Sequence, residues 1–220
     1  MEPIKPFKFK QCVCVLKSAA KKASDLSELR DAIAGVSDNS IFHHTCHYFL
    51  KAHVFEHTND FARWCGESLK ENALAERLSN IDPYAFKSIA ELRSELLSII
   101  NEHLGAFPQT RKALSGDEFH FNTAITLIFP SEVEVKNLAE FLTALRYIDI
   151  SSVYYHFHEA RMRLNGIDDF SNWFENELGE KTLADKIRAT DLFMRNIGET
   201  RDYLAAVIEE EVKEDIEKLG

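Results

Sequence analysis

The chain has 220 residues, 45% of them apolar and 28% charged, with a formal net charge of −10. That balance excludes a disordered or collagen-like chain, and four cysteines are too few for a disulfide scaffold. The acidity disfavours broad nucleic-acid binding, which needs clustered positive charge, and no apolar run approaches the roughly 18 residues needed to cross a membrane.

The first element is a strand. Phe7, Phe9, Gln11, Val13 and Val15 alternate with Lys8, Lys10, Cys12, Cys14 and Leu16, a period of two. The run Cys12–Leu16 is too short for a secretory core, and Lys17 ends it. Asp25-x-x-Glu28 is a capping box that opens a helix carrying Leu26, Leu29 and Ile33. A second helix is expected from about Ser40, a third from Asn59, a short fourth over about 71–78, and a fifth from the capping box Ser88-x-x-Glu91.

The same order then repeats. Phe119, Phe121, Thr123, Ile125 and Leu127 alternate with His120, Asn122, Ala124, Thr126 and Ile128, beginning 112 positions after Phe7. Asn137-x-x-Glu140 matches the first capping box, and Ser152-Val153-Tyr154-Tyr155-His156 matches Ser40-Ile41-Phe42-His43-His44. The offset slips by three residues, and Asp169-Phe170-Ser171-Asn172-Trp173 matches Asp60-Phe61-Ala62-Arg63-Trp64. One further slip aligns Asn196-x-x-Glu199 with Ser88-x-x-Glu91. Matches in one order with slips at loops mark a tandem duplication.

The fold class is therefore α+β and mainly α-helical, a tandem duplication of a β-α-α-α-α-α unit. Copy one occupies 1–106, a connector 107–116 and copy two 117–220. A lone strand cannot satisfy its own backbone groups, so the two strands, 7–16 and 119–129, are expected to pair in one small sheet. One compact, pseudo-twofold body is the expected organisation.

Nine histidines are many for this length, and only His44 and His156 occupy matched positions. His44 and His47 stand at i, i+3 on one helical face, and their counterparts are His156 and Glu159. Should the second helices meet at a pseudo-twofold axis, His44, His47, His156 and Glu159 form a set suited to zinc or iron. The better reading of the matched histidines is as half-buried side chains with hydrogen-bond partners. Arg161 and Arg163 offer guanidinium groups to an anion, so His44, His156, Arg161 and Arg163 are the candidate ligand-binding residues. Phe61 with Trp64, and Phe170 with Trp173, read as core packing rather than a ligand clamp. No GxGxxG, P-loop, HExxH or GxSxG pattern is present.

Phe7, Phe9, Ser40, Ile41, His44, Asp60, Phe61, Trp64, Leu74, Ala75 and Asp82, with Phe119, Phe121, Phe129, Pro130, Ser152, His156 and Asp169, carry a resemblance over nearly the whole chain. The chain resembles an uncharacterised, internally duplicated prokaryotic family of unknown function. The resemblance implies no activity and transfers no functional residues.

The function expected from these features is that of a cytoplasmic, non-catalytic binding or regulatory protein without a resident cofactor. Its partner is a protein, a small molecule or a second copy of the chain, with no membrane and no broad nucleic-acid binding. The alternative is a metal-dependent enzyme with its His/Glu site on the second helices.

Overall fold

The computed structural model describes residues 3–46, 57–109, 111–163, 166–191 and 195–219. Two 17-residue strands, β1 (Phe7–Ala23) and β2 (Phe119–Val135), pair antiparallel in one two-stranded sheet. The rest is mainly helical: α1 (Leu26–Gly35), α2 (Asp38–Cys46), α3 (Asp60–Glu67), α4 (Asn72–Ser79) and α5 (Ile89–Ala106) follow β1. After β2 come α6 (Leu138–Tyr147), α7 (Ile150–Val153), a π-helical stretch Tyr154–Glu159, α8 (Ala160–Arg163) and α9 (Asp169–Trp173). A second π-helical stretch (Phe174–Leu178), α10 (Lys181–Arg188) and α11 (Ile197–Leu219) complete the chain.

The caps read from sequence are the caps observed. The side chains of Asp25, Asn59, Ser88, Asn137 and Asp168 each accept a hydrogen bond from a backbone N–H in the first turn of the helix they open, relieving donors that an isolated helix start leaves without a partner. The strands run further than the alternation in the sequence reaches, to Ala23 and Val135 instead of 16 and 129. Beyond 16 and 129 both strands are exposed or half-exposed on both faces until Ala23 and Val135, which are buried. A segment with neither face buried shows no period of two.

The chain divides into two compact units, and the division does not follow the sequence boundary between the copies. One unit comprises residues up to Val13 together with Thr126–Gly220; the other comprises Cys14–Ile125. Each unit therefore takes its helices from one copy, and the start of its aromatic strand from the other.

In the unit carrying α1–α5, Phe119 and Phe121 of β2 enter the core. Phe119 lies 5.2 Å from Phe61, 5.8 Å from Trp64 and 4.9 Å from His44, centroid to centroid. The Trp64 Nε1–H donates to the Asp117 carbonyl at 2.7 Å. Leu26, Leu29, Ile33, Leu74, Leu92, Leu96 and Ile100 are fully buried around these rings.

In the unit carrying α6–α11, Phe7 and Phe9 of β1 play the same part. Phe7 lies 5.6 Å from Phe170, 5.7 Å from Trp173 and 4.9 Å from His156. The Trp173 Nε1–H donates to the Lys5 carbonyl at 2.8 Å. Phe141, Phe157, Phe170 and Phe174 are fully buried or nearly so. Both tryptophans are thus core residues with their indole N–H satisfied, as Phe61/Trp64 and Phe170/Trp173 read in the sequence. Buried rings of this size account for much of the apolar surface removed from water.

Candidate functional site

His44 sits on α2 with its ring almost completely buried. Its Nδ1 lies 3.0 Å from the Asp60 carboxylate on α3. Its Nε2 accepts a hydrogen bond from the backbone N–H of Asn122 on β2, at 2.9 Å. His156 repeats the pattern in the other unit: Nδ1 lies 2.8 Å from Asp169, and Nε2 accepts the backbone N–H of Lys10 on β1, at 2.8 Å. Lys10 and Asn122 are matched positions, as are Asp60 and Asp169.

Proton counting fixes the state of both rings. A backbone amide can only donate, so each Nε2 must present its lone pair to the strand. The ring proton is then on Nδ1, where it donates to the carboxylate. Each Asp–His pair is a latch that fastens a strand from one copy to the helices of the other. Nearby, Ser40 Oγ donates to the Asn122 carbonyl at 2.7 Å, securing both polar groups of that strand residue.

His43, His44 and Asp60 each place one ligand-type atom within 4.8 Å of one another. A metal in this cluster would need a lone pair from His44. Taking Nε2 would displace the Asn122 amide, and taking Nδ1 while the amide stays would leave the ring with no proton at all. The donor set is of a kind zinc accepts, but the ring's one lone pair is already committed to the strand.

Two of the remaining candidates, Glu159 and Arg161, have partners within their own unit. Glu159 accepts a hydrogen bond from Thr126 Oγ1 at 3.1 Å, in the same unit as His156. Arg161 is nearly buried, with its guanidinium 4.5 Å above the Phe157 ring. It donates to the carbonyls of Ile187, Arg188 and Thr190 at 3.1, 3.2 and 3.4 Å, and its Nη2 lies 3.8 Å from Asp168. Those carbonyls close the C-terminal end of α10, so Arg161 caps that helix and meets its negative end. Arg163 is the last residue of α8. His47 lies outside the described residues.

Three further buried groups shape the chemistry. Burial, reinforced by the charge of Arg161, pushes the His158 imidazole down to about 3. Cys46, its counterpart in copy one, is pushed up to about 12 by burial, and burial also raises Cys65. These thiols stay protonated and unreactive at neutral pH. None of the four cysteines is joined in a disulfide.

His158 makes stability depend on pH. The unfolded ring takes up a proton near 6.5 and the folded ring does not until about 3, so the unfolded state binds more protons between these values. Stability is present above 6.5 and is lost as pH falls through this window. Relative to His158→Cys, the residue copy one uses, the wild type is expected to lose about 2 kcal/mol between pH 7 and pH 5. Urea denaturation at the two pH values measures the difference; parallel profiles would show that His158 takes up its proton in the fold as readily as in the unfolded chain.

A cleft of about 340 Å³ opens beside His44 and Asp60. Its floor is Trp64, Phe119 and the His44–Asp60 pair; its rim carries Arg63, Glu67, Asp117 and His120. The floor residues have matched counterparts beside the helices of copy two: Trp173, His156 and Asp169 of copy two, and Phe7 supplied by copy one. The rim residues do not, since Asn172, Asn176, Lys5 and Lys8 stand in their places. Arg63 is held over the cleft by Asp60, at 3.1 Å.

A family model described as "Family of unknown function (DUF5752)" matches residues 4–209. The chain belongs to this family. The DUF5752 match spans both copies, so the duplicated pair with its exchanged strands lies within the family's own boundaries. A solved structure titled "The structure of OrfY from Thermoproteus tenax" is similar to the chain, with 31% identity and a TM-score of 0.81 over 94% of this chain and 95% of that one. Among curated proteins nothing matches. No helix among the described residues is long and apolar enough to cross a membrane.

Among the residues that organise the site, Asp60 and Asp169 were readable as a matched pair but carry no signal that ties them to the histidines. The Lys10 and Asn122 amides carry none, because every residue but proline has such a donor.

Proposed function

We propose that this protein is a cytoplasmic, non-catalytic binding protein, and that its ligand is a small molecule bearing both an acidic and a basic group, seated in the cleft beside α3. The observation that carries the reading is the contrast between floor and rim. The latch and aromatic floor are common to both copies, as a folding requirement demands. Arg63, Glu67, Asp117 and His120 come together only beside the helices of copy one, two of them supplied by the copy-two segment that docks there. Arg63 and His120 suit a carboxylate or phosphate, Glu67 and Asp117 suit an amine, and Trp64 and Phe119 supply an apolar base, the usual composition of a small-molecule site.

A metal-dependent enzyme is the second reading, and the His43–His44–Asp60 cluster favours it. It requires the latch to open, because His44 gives its lone pair to Asn122.

A thermal-shift screen of amino acids and amino sugars phosphates tests the first reading. A ligand that binds the folded state raises the melting temperature by mass action, by a few degrees at saturating concentration. The shift should vanish in Arg63→Ala and in Glu67→Gln. Stabilisation by zinc, lost on adding a chelator and absent in His43→Ala, would favour the second reading instead.

A further inference from the structure

We infer that each copy is a docking site for the aromatic strand of another copy, and that reciprocal exchange of these strands, not the connector, keeps the two halves of the chain assembled. The helices of copy two form a slot that takes Phe7, Phe9 and the Lys10 amide. The helices of copy one form the equivalent slot for Phe119, Phe121 and the Asn122 amide. The two slots use the same parts: a tryptophan whose N–H binds a backbone carbonyl two residues before the first phenylalanine, a phenylalanine one turn earlier on the same helix, and a histidine latched by an aspartate. Matching extends to distance, since the leading phenylalanine of each strand lies 4.9 Å from its histidine in both.

The occupant of each slot is therefore a segment of sequence Phe-x-Phe-x from a second copy, which here is the other half of the same chain. A strand that folded back on its own helices would leave no strand to spare for the neighbour. The connector around Phe107–Gln109 is exposed, and the contacts that fill the slots do not pass through it.

The test cuts the connector in the full-length protein. A protease site inserted between Pro108 and Gln109 is cleaved in the folded state, and the product is sized under native conditions by light scattering. The two fragments should co-elute at the mass of the intact chain and stay together on dilution to nanomolar concentration. Limited trypsin cleavage at Arg111 or Lys112 of the unmodified chain gives the same readout without an insertion.

Lys10→Pro removes the N–H that His156 accepts and leaves a buried acceptor without its donor. In the cut protein it should weaken fragment association by at least tenfold. The uncut variant, where the halves remain tethered, should still elute as a folded monomer. Fragments that separate on cutting, or that each retain their full helical circular dichroism after separation, would overturn the inference. So would a cut Lys10→Pro protein as tightly associated as the cut wild type.

Discussion

Replacing Phe121 with alanine should lower the unfolding free energy by about 3–5 kcal/mol, the usual cost of emptying a fully buried aromatic site. Phe121 is completely buried, 4.8 Å from Phe119 and 5.8 Å from His44. Its neighbours are ring edges and helix side chains that cannot close around the gap without moving. Phe9→Ala should cost a similar amount, because Phe9 is equally buried and lies 5.3 Å from Phe141 and 6.0 Å from His156. The pairing of effects is informative: Phe9 is a copy-one residue, but its loss should loosen the unit built on copy-two helices. Hydrogen exchange on Phe9→Ala should accelerate most in α6 and α9, with α1 and α3 much less affected. Urea denaturation gives the totals. A loss below about 1 kcal/mol, or exchange that accelerates chiefly in α1 and α3, would contradict the packing described.

Arg161→Ala should cost about 3–5 kcal/mol, as removing one partner from a buried charged network does. The guanidinium satisfies three carbonyls at the end of α10 and lies close to Asp168, which is fully buried. Burial raises the Asp168 carboxyl pKa, while hydrogen bonds from Ser171 and the charge of Arg161 oppose the rise. Without Arg161 the carboxylate loses its nearby positive charge, so the raised pKa moves higher still. Arg161→Lys should recover only part of the loss, because one ammonium cannot fork to three carbonyls. Chemical denaturation of both variants measures this. An Arg161→Ala protein as stable as the wild type would return the side chain to the pool of groups available for an anion.

Local features of the fold were readable because local physics determines them. Asp25, Asn59, Ser88, Asn137 and Asp168 cap helices through their own side chains, and Phe7/Phe9 and Phe119/Phe121 alternate because one strand face is buried. The duplication made each such reading testable twice. What periodicity cannot convey is the identity of the surface a strand covers. Phe7-x-Phe9 and Phe119-x-Phe121 are equivalent, so no pattern in either distinguishes the slot in its own copy from that in the other. The site was partly readable for the same reason. His44 and His156 stood out as matched ionisable side chains. Their function in the fold depends on a backbone donor supplied from about 80 residues away in one case and about 150 in the other. Arg161 looked like an anion ligand from its charge, and only the tertiary placement of the α10 terminus gives it carbonyls to cap.

Nitrogen-detected NMR of the two latch histidines is the most direct measurement of the exchanged-strand architecture. In both His44 and His156 the ring proton should be on Nδ1, and each unprotonated Nε2 should show a hydrogen-bond coupling to one backbone amide. For His44 that amide is Asn122, and for His156 it is Lys10. Addition of zinc should leave both signals unmoved. Rings protonated on Nε2, or couplings that connect each histidine to the strand of its own copy, would contradict the architecture.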